Sequence, residues 1–364
     1  MSRGGTRILF AGGGTGGHVF PGVALAQRVL KDDPAARLLW LCTSRPFDAA
    51  QLAKHAIPHQ ALESPRWRGF TGFLAPMARA VLASARALRE LRPQVLVGVG
   101  GYGTVPPVLA AKALGVPFVL LEQNARPGKA NRFLAPGADR LYVQWAAARS
   151  AFPGCGARVV VTGSPLREGL KPVPCGEALA RFGLSPDRSV VAVVGGSQGA
   201  EALNRGVVDG LNGTASRLQL IHVTGGAQQS DRVRAAYAAK GARAAVLDFC
   251  PDMERLYSAA DLVVSRAGAL AIAEIAAFGV PSVLVPIPKS SGDHQRENAR
   301  AVAKAGGALL LEESDGLASG LEPVLRRLAD GDPAFQEMKR RLKPFARPDA
   351  ADAVWSDLRE RLGR

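Results

Sequence analysis

Two glycine-rich turns carry the residues of this chain whose types and spacing can do chemistry. Gly12-Gly13-Gly14-Thr15-Gly16-Gly17-His18 follows the apolar run from Arg7 to Ala11, and Gly195-Gly196-Ser197-Gln198-Gly199-Ala200 follows Val190 to Val194. Each opens a helix-like stretch, so each presents free backbone N–H groups and a positive helix end to an anion. Two such turns predict two nucleotide-fold domains facing one cleft. His18 stands where the first helix begins, and an imidazole there can take a proton from a hydroxyl. Alone, a single histidine at a helix start reads more readily as a capping or packing residue than as a base.

Gly12, Gly14 and Gly17 satisfy G-x-G-x-x-G, the dinucleotide fingerprint. That reading wants an acid at the end of the second strand to hold a ribose, and the run Leu38 to Cys42 ends in Thr43-Ser44-Arg45 instead. Neither turn carries the Gly-Lys-Ser/Thr of a Walker A loop. Tight turns for close helix–strand packing remain the alternative for the glycines.

Other polar groups fall at the ends of apolar runs, where an open α/β sheet leaves its ligand crevice. Gly98 to Pro107 is one such cluster, and Glu122-Gln123-Asn124 after Val116 to Leu121 is another. In the second half, Ser265-Arg266-Ala267-Gly268-Ala269-Leu270 leads into a helix with Glu274, and Asp293 to Asn298 opens a further polar helix. Glu274 is suited to ribose hydroxyls, with an ordinary surface charge as its alternative.

The elements that must position these groups alternate. Strand-like runs at 7–11, 37–42, 95–99, 116–121 and 158–162 are interleaved with helical patterns at 21–31, 73–90 and 104–114. A second series of strand-like runs follows at 190–194, 218–223, 244–249, 262–264 and 282–285. This is the pattern of parallel sheets covered by helices, hence an α/β class. The turn-rich stretch Gly163-Ser164-Pro165 to Gly176 marks the boundary, placing domains at 1–164 and 165–344. A last helix, from Asp349 to about Leu362, lies within 345–364. Its pattern does not say which domain it packs on, and a return to the first is one reading.

The chain has 364 residues with 47% hydrophobic and 21% charged content, enough to bury real cores. Its four cysteines, Cys42, Cys155, Cys175 and Cys250, show neither zinc nor disulfide spacing, which fits a reducing compartment. No signal peptide is expected, because the first strand and its turn fill the first eighteen residues. No run reads as a membrane-spanning helix. The net charge of +15 is concentrated in residues 1–150, with 19 Lys or Arg against 7 Asp or Glu. That field favours anionic partners. The stretch Arg66, Trp67, Arg68, Phe70, Phe73 and Leu74, continuing to Arg79, Arg86 and Arg89, mixes aromatic and basic groups as an anionic bilayer interface requires. The alternative is an amphipathic helix packed on its own sheet.

Taken in order, Gly13 to His18, Gly100-Gly101-Tyr102-Gly103, Glu122-Gln123-Asn124, Gly195 to Ala200, Arg266-x-Gly-Ala-Leu270, Glu274 and Gln295 resemble the MurG family over nearly the whole chain. These are peripheral membrane glycosyltransferases that add N-acetylglucosamine to a lipid-linked muramoyl-pentapeptide, converting lipid I to lipid II. The resemblance implies a GT-B fold of two Rossmann-like domains, with the lipid acceptor on the N-terminal domain and the UDP-sugar on the C-terminal one. It implies donor contacts at Gly196 and Ser197 for the diphosphate, Glu274 for the ribose and Gln295 for the sugar side. Further donor-binding residues would be Ala269, Leu270, Cys250 beside the uracil, and Arg167 near the diphosphate. Thr15, Gly16, Gly17 and Asn124 would approach the N-acetylglucosamine. The chain departs from the family pattern at Leu121, Ser164, Ala271 and Cys250. None of these removes a group the chemistry must have.

The implied reaction is an inverting displacement at the anomeric carbon, with His18 as general base and Glu122 as rival or helper. Neither a cofactor nor a metal ion is expected. Implied partners are UDP-N-acetylglucosamine, undecaprenyl-diphosphate-linked muramoyl-pentapeptide and an anionic membrane surface, not nucleic acid. The implied location is peripheral, on the cytoplasmic face of the cell membrane. Two alternatives stay open: another GT-B UDP-sugar transferase with a different acceptor, and a non-transferase dinucleotide-binding protein.

Overall fold

A computed structural model describes residues 5–63, 70–196, 199–288 and 291–363. The chain divides into two compact units: residues 1–168 with 347–364, and residues 169–346. The sequence boundaries at 164/165 and 344/345 thus fall four and two residues before the crossings at 168/169 and 346/347.

The first unit holds strands β1 (Arg7–Gly12), β2 (Arg37–Thr43), β3 (His59–Leu62), β4 (Val95–Gly100), β5 (Phe118–Glu122), β6 (Arg140–Val143) and β7 (Val159–Val161). Among the described residues they form one parallel sheet in the order β3-β2-β1-β4-β5-β6-β7. Helices α1 (Gly16–Asp32), α2 (Pro46–Lys54), α3 (Phe70–Leu91), α4 (Val105–Ala113) and α5 (Lys129–Leu134) connect them. β-Branched and leucine-rich strands buried on both faces are what a sheet covered on both sides needs. Successive residues of β1 alternate between the two cores: Ile8 and Phe10 join Trp40, Val97 and Val23, whereas Leu9 and Ala11 join Leu96, Leu120 and Val108.

The second unit holds α6 (Cys175–Arg181), β8 (Ser189–Val194), α7 (Glu201–Asp209), β9 (Leu218–Val223), α8 (Ala227–Ala239), β10 (Arg243–Leu247) and α9 (Met253–Ala259). It continues with β11 (Leu262–Arg266), α10 (Ala269–Phe278), β12 (Ser282–Val285), α11 (His294–Lys304), β13 (Leu309–Leu310), α12 (Leu317–Ala329) and α13 (Ala334–Leu342). Its parallel sheet has the order β10-β9-β8-β11-β12-β13.

The last helix, α14 (Ala350–Arg361), belongs to the first unit. Val354, Trp355 and Leu358 are at most 2% exposed and join the core cluster that contains Val19, Val23 and Val29 of α1. Burying three such side chains contributes roughly 1.5–3 kcal/mol each as an upper bound. Polar clasps fix the register. Trp355 Nε1 and Arg359 donate to Asp32, Tyr142 OH donates to Asp357 at 2.6 Å, and Arg28 pairs with Asp352. The outgoing and returning chains touch: a Cβ on Gly163 would lie 2.3 Å from Arg347 Cβ.

Candidate functional site

Strand order reverses between β1 and β4 in the first unit, and between β8 and β11 in the second. The crevice beyond the C-terminal ends of strands at such a switch point is where open α/β sheets bind ligands. Both glycine turns sit there.

In the first unit the turn after β1 is built against the turn after β4. Gly12, Gly13 and Gly14 have φ of +119°, +141° and +93°, which side chains rarely adopt. Thr104, fully buried, stitches the two turns: its hydroxyl lies 2.8 Å from Gly100 O and accepts from Gly100 N at 3.2 Å. A Cβ on Gly12 would meet Thr104 Oγ1 at 2.3 Å and Gly100 O at 2.4 Å. Gly16 and Gly17 begin α1, and His18 follows on its first turn, half-buried. A Cβ on Gly100 would approach His18 Cδ2 to 2.8 Å, so glycine there leaves the ring its seat. Thr15, extended at the helix N-cap, places its Oγ1 3.1 Å from His18 Nδ1.

Glu122 is 3% exposed at the end of β5. Its Oε1 accepts from the backbone and side-chain nitrogens of Asn124, at 2.9 and 3.2 Å. Its Oε2 accepts from Gly128 N and Asn131 Nδ2, at 2.9 and 3.0 Å. Burial raises its pKa, and these four donors oppose the rise. The carboxylate is spent on folding the 122–131 loop and on orienting Asn124. Each of its two oxygens thus has two donors. Arg167 is half-buried near the end of this unit. The His55 imidazole has a lowered pKa, first through burial and then through the charges of Lys54 and Arg167.

Sequence reasoning missed Asp48 and Arg45. Asp48 on α2 is fully buried and accepts from Gly14 N and from Thr43 N and Oγ1, while Arg45 donates to Gly14 O at 2.6 Å. The signal was there: Asp48 is one helical turn before Leu52, a charge on the buried face of α2.

In the second unit β8 leads into the turn at Gly195 and Gly196. Gly196 (φ +85°) and Gly268, the N-cap of α10, would carry a Cβ with no atom within 4 Å among the described residues. Ser197 lies outside those residues. Ala269 and Leu270 open α10, and Glu274, one turn further, accepts from Tyr257 OH at 3.0 Å. Gln295 Oε1 accepts from Ile287 N at 3.0 Å, so its outward group is the NH2. Arg296 fastens the start of α11, forking onto Glu312 at 2.8 and 3.2 Å and reaching Asp293 at 3.0 Å. Cys250 is 4% exposed with its thiol pKa pushed up by burial, beside the exposed Phe249. Behind the turn, Asn204 of α7 bonds Thr224 O and His222, which also meets Tyr237 OH at 2.7 Å.

Among the described residues no group of three His, Cys, Asp or Glu side chains is placed to hold a metal ion. The one Asp-x-Asp spacing in the sequence, Asp330-Gly331-Asp332, joins α12 to α13. Asp330 pairs with Arg217, whereas Asp332 pairs with Arg327 and accepts from Ala334 N. No helix among those residues is long and apolar enough to cross a membrane. Of the basic aromatic stretch, Arg66, Trp67 and Arg68 lie outside the described residues, and Phe70 and Phe73 are placed in α3 by their backbone alone. Leu74 and Leu82 on α3 are 48% and 69% exposed.

Comparison with known proteins agrees with this architecture. Residues 8–143 match the glycosyltransferase family 28 N-terminal domain, and residues 190–354 match the family 28 C-terminal domain. The UDP-N-acetylglucosamine--N-acetylmuramyl-(pentapeptide) pyrophosphoryl-undecaprenol N-acetylglucosamine transferase of Syntrophotalea carbinolica is 36% identical, covering 98% of this chain and 99% of the relative. The Bacillus subtilis protein of that name is 33% identical over 97% and 99%. The crystal structure of Acinetobacter baumannii MurG superposes with a TM-score of 0.79 at 30% identity, over 98% of this chain and 99% of that one. A UDP-GlcNAc 2-epimerase from Neisseria meningitidis, bound to UDP-GlcNAc, shares the fold alone, with a TM-score of 0.68 at 12% identity over 98% and 100%. The fold is therefore the α/β GT-B class of two Rossmann-like units, and the chain belongs to the MurG family of N-acetylglucosaminyltransferases.

Proposed function

We propose that this protein transfers N-acetylglucosamine from UDP-N-acetylglucosamine to the C4 hydroxyl of lipid-linked N-acetylmuramoyl-pentapeptide, with inversion, giving lipid II and UDP. The observation that carries this reading is the near end-to-end match to relatives so named. The geometry of the two switch-point turns is consistent with it. The acceptor oxygen attacks the anomeric carbon as the bond from that carbon to the diphosphate oxygen breaks, and His18 takes the hydroxyl proton. The helix start after Gly196, with Ser197, faces the negative charge that develops on the leaving diphosphate. Arg167 adds a positive charge to that end of the reaction. Glu274 receives the ribose hydroxyls, Gln295 donates its NH2 to a sugar oxygen, and the backbone beside Cys250 borders the uracil. Ala269 and Leu270 contribute backbone at the α10 start. Thr15, Gly16, Gly17 and Asn124 line the sugar's approach.

The test is a transfer assay with labelled UDP-N-acetylglucosamine and a soluble lipid I analogue. A β-1,4-linked disaccharide product with one UDP released per transfer supports the reading. UDP release without that product, or an epimerised sugar, overturns it. UDP-N-acetylglucosamine should also raise the thermal midpoint where NAD does not. The exposed, arginine-bordered face of α3, with Leu74 and Leu82, is the membrane-facing patch in this proposal. Liposome sedimentation should then require anionic lipid and weaken with salt, and replacing Leu82 by Glu should reduce it.

A further inference from the structure

We propose that Asp48 and Arg45 form a two-point clamp on Gly14, and that this clamp positions Thr15 and, through it, the His18 imidazole for proton transfer. The proposal rests on the reading of His18 as the base. Three observations on separate elements carry it.

First, Asp48 is 0% exposed, and among the described residues its carboxylate is held by neutral donors alone. A buried charge without a cation is costly unless its hydrogen bonds are placed well. Here they are: Thr43 Oγ1 donates at 2.6 Å, and Gly14 N reaches the two carboxylate oxygens at 2.8 and 3.0 Å. An apolar residue at this position of α2 would pack beside Leu52 at no such cost. What the carboxylate adds is its grip on the glycine turn.

Second, Arg45 holds the other side of the same residue, donating from Nη1 to Gly14 O at 2.6 Å. With both its N–H and its C=O fixed, Gly14 has the two peptide planes that flank it fixed as well. It needs this, because at φ +93° glycine is the residue with the most backbone freedom to lose.

Third, the held residue is the immediate neighbour of the group that touches His18. Thr15 accepts from His18 N and Val19 N through its carbonyl, at 3.0 and 3.1 Å, and meets His18 Nδ1 through its hydroxyl at 3.1 Å. If Nδ1–H donates to Thr15 Oγ1, Nε2 keeps the lone pair that base catalysis requires. The clamp thereby sets the position of the ring without reaching the imidazole itself. Asp48 and Arg45 are positioning residues.

The test compares Asp48→Ala, Asp48→Asn, Arg45→Ala and His18→Ala in the full-length protein. Asp48→Ala should lower kcat by about 10- to 100-fold, less than the loss of the base itself would, with donor KM changed less than about twofold. The acid limb of its kcat/KM profile should move, since Thr15 Oγ1 is no longer held against the imidazole. Asp48→Asn keeps one oxygen for Gly14 N and should fall between wild type and Asp48→Ala. Arg45→Ala, an exposed change, should lose kcat severalfold with a near-normal thermal midpoint. If Asp48→Ala does not fold, Asp48→Asn and Arg45→Ala decide. Normal kcat and an unmoved pH profile in both, beside an inactive His18→Ala, overturn the clamp and leave the base assignment standing. Full turnover in His18→Ala removes the base reading and the clamp with it.

Discussion

The two glycine turns occupy the same place in two similar sheets, yet their glycines serve opposite ends. In the first unit glycine makes room for protein: a side chain on Gly12 would strike Thr104 and Gly100, and one on Gly100 would strike His18. In the second unit Gly199 is packed likewise, its Cβ falling 2.7 Å from Thr224 O, and the difference lies at Gly196 and, at the α10 start, Gly268, which face space that no described residue fills. The first turn is packed around the His18 ring, whereas Gly196 in the second has the room that, in the function proposed above, a ligand's oxygens would take. In the proposed function, similar sequence signatures thus serve as a catalytic mount in one unit and a binding surface in the other.

That contrast can be broken by mutation. The largest effect is expected for His18→Ala: a loss of about 100- to 10,000-fold in kcat, with donor affinity changed less than about twofold in calorimetry. A parallel loss of donor affinity would erase the division of labour. Next comes Gly12→Ala. Backbone atoms cannot move aside as side chains do, so this variant should lose roughly 3–4 kcal/mol of stability in denaturant unfolding, or fail to accumulate as folded protein. Gly196→Ala should cost only about 1–2 kcal/mol, for its positive φ, yet raise donor KM about tenfold. Equal destabilisation at both glycines would show that the second turn is as tightly packed as the first.

A last effect, read within one chain rather than between variants, is one of pH. His222 is sealed in the second unit, and burial pushes its pKa down to about 3 from an ordinary 6.5. The unfolded chain then binds a proton that the folded one does not. Stability from this group is present above pH 6.5 and is lost as pH falls toward 3, at no more than about 1.4 kcal/mol per unit. Glu122 in the first unit runs the other way. Burial raises its pKa above the ordinary 4.5, so its contribution is present below that value and is lost as pH rises through the folded one. Between pH 6.5 and 4.5, hydrogen exchange should show the second unit losing protection before the first. The reverse order would sink this account, and His222→Asn should flatten the difference.

Much of the fold is legible in the sequence because its strands are apolar and bounded. β9 and β12 have the expected limits, 218–223 and 282–285, and β8 begins one residue earlier than 190–194. What escaped is short or mixed. β3 reads His-Gln-Ala-Leu, β6 opens on Arg140, and β13 has two residues. Such segments become strands only because a neighbouring strand offers them a ladder. α1 begins at Gly16 rather than near residue 21, because glycine and Pro21 read locally as breakers and packing against the sheet overrides them. At the site, groups at strand ends were visible, but their division of labour was not. Glu122 stands out in the sequence as a candidate base, but its four donors show only in the folded 122–131 loop. Asp48's place on the buried face of α2 can be read from its spacing to Leu52, but not its bond to the glycine turn 34 residues away. Hydrogen bonds made at a distance in sequence leave no local mark.

The return of α14 to the first unit has a consequence for the order in which this protein is made. The α1 face that takes up Val354, Trp355 and Leu358 is synthesised within the first 32 residues, and its cover follows more than 300 residues later. Throughout translation of the second unit, the helix that carries His18 keeps an apolar flank bare on the nascent chain. A premature stop after Ala346 would leave that flank exposed permanently, in a protein whose second unit is complete.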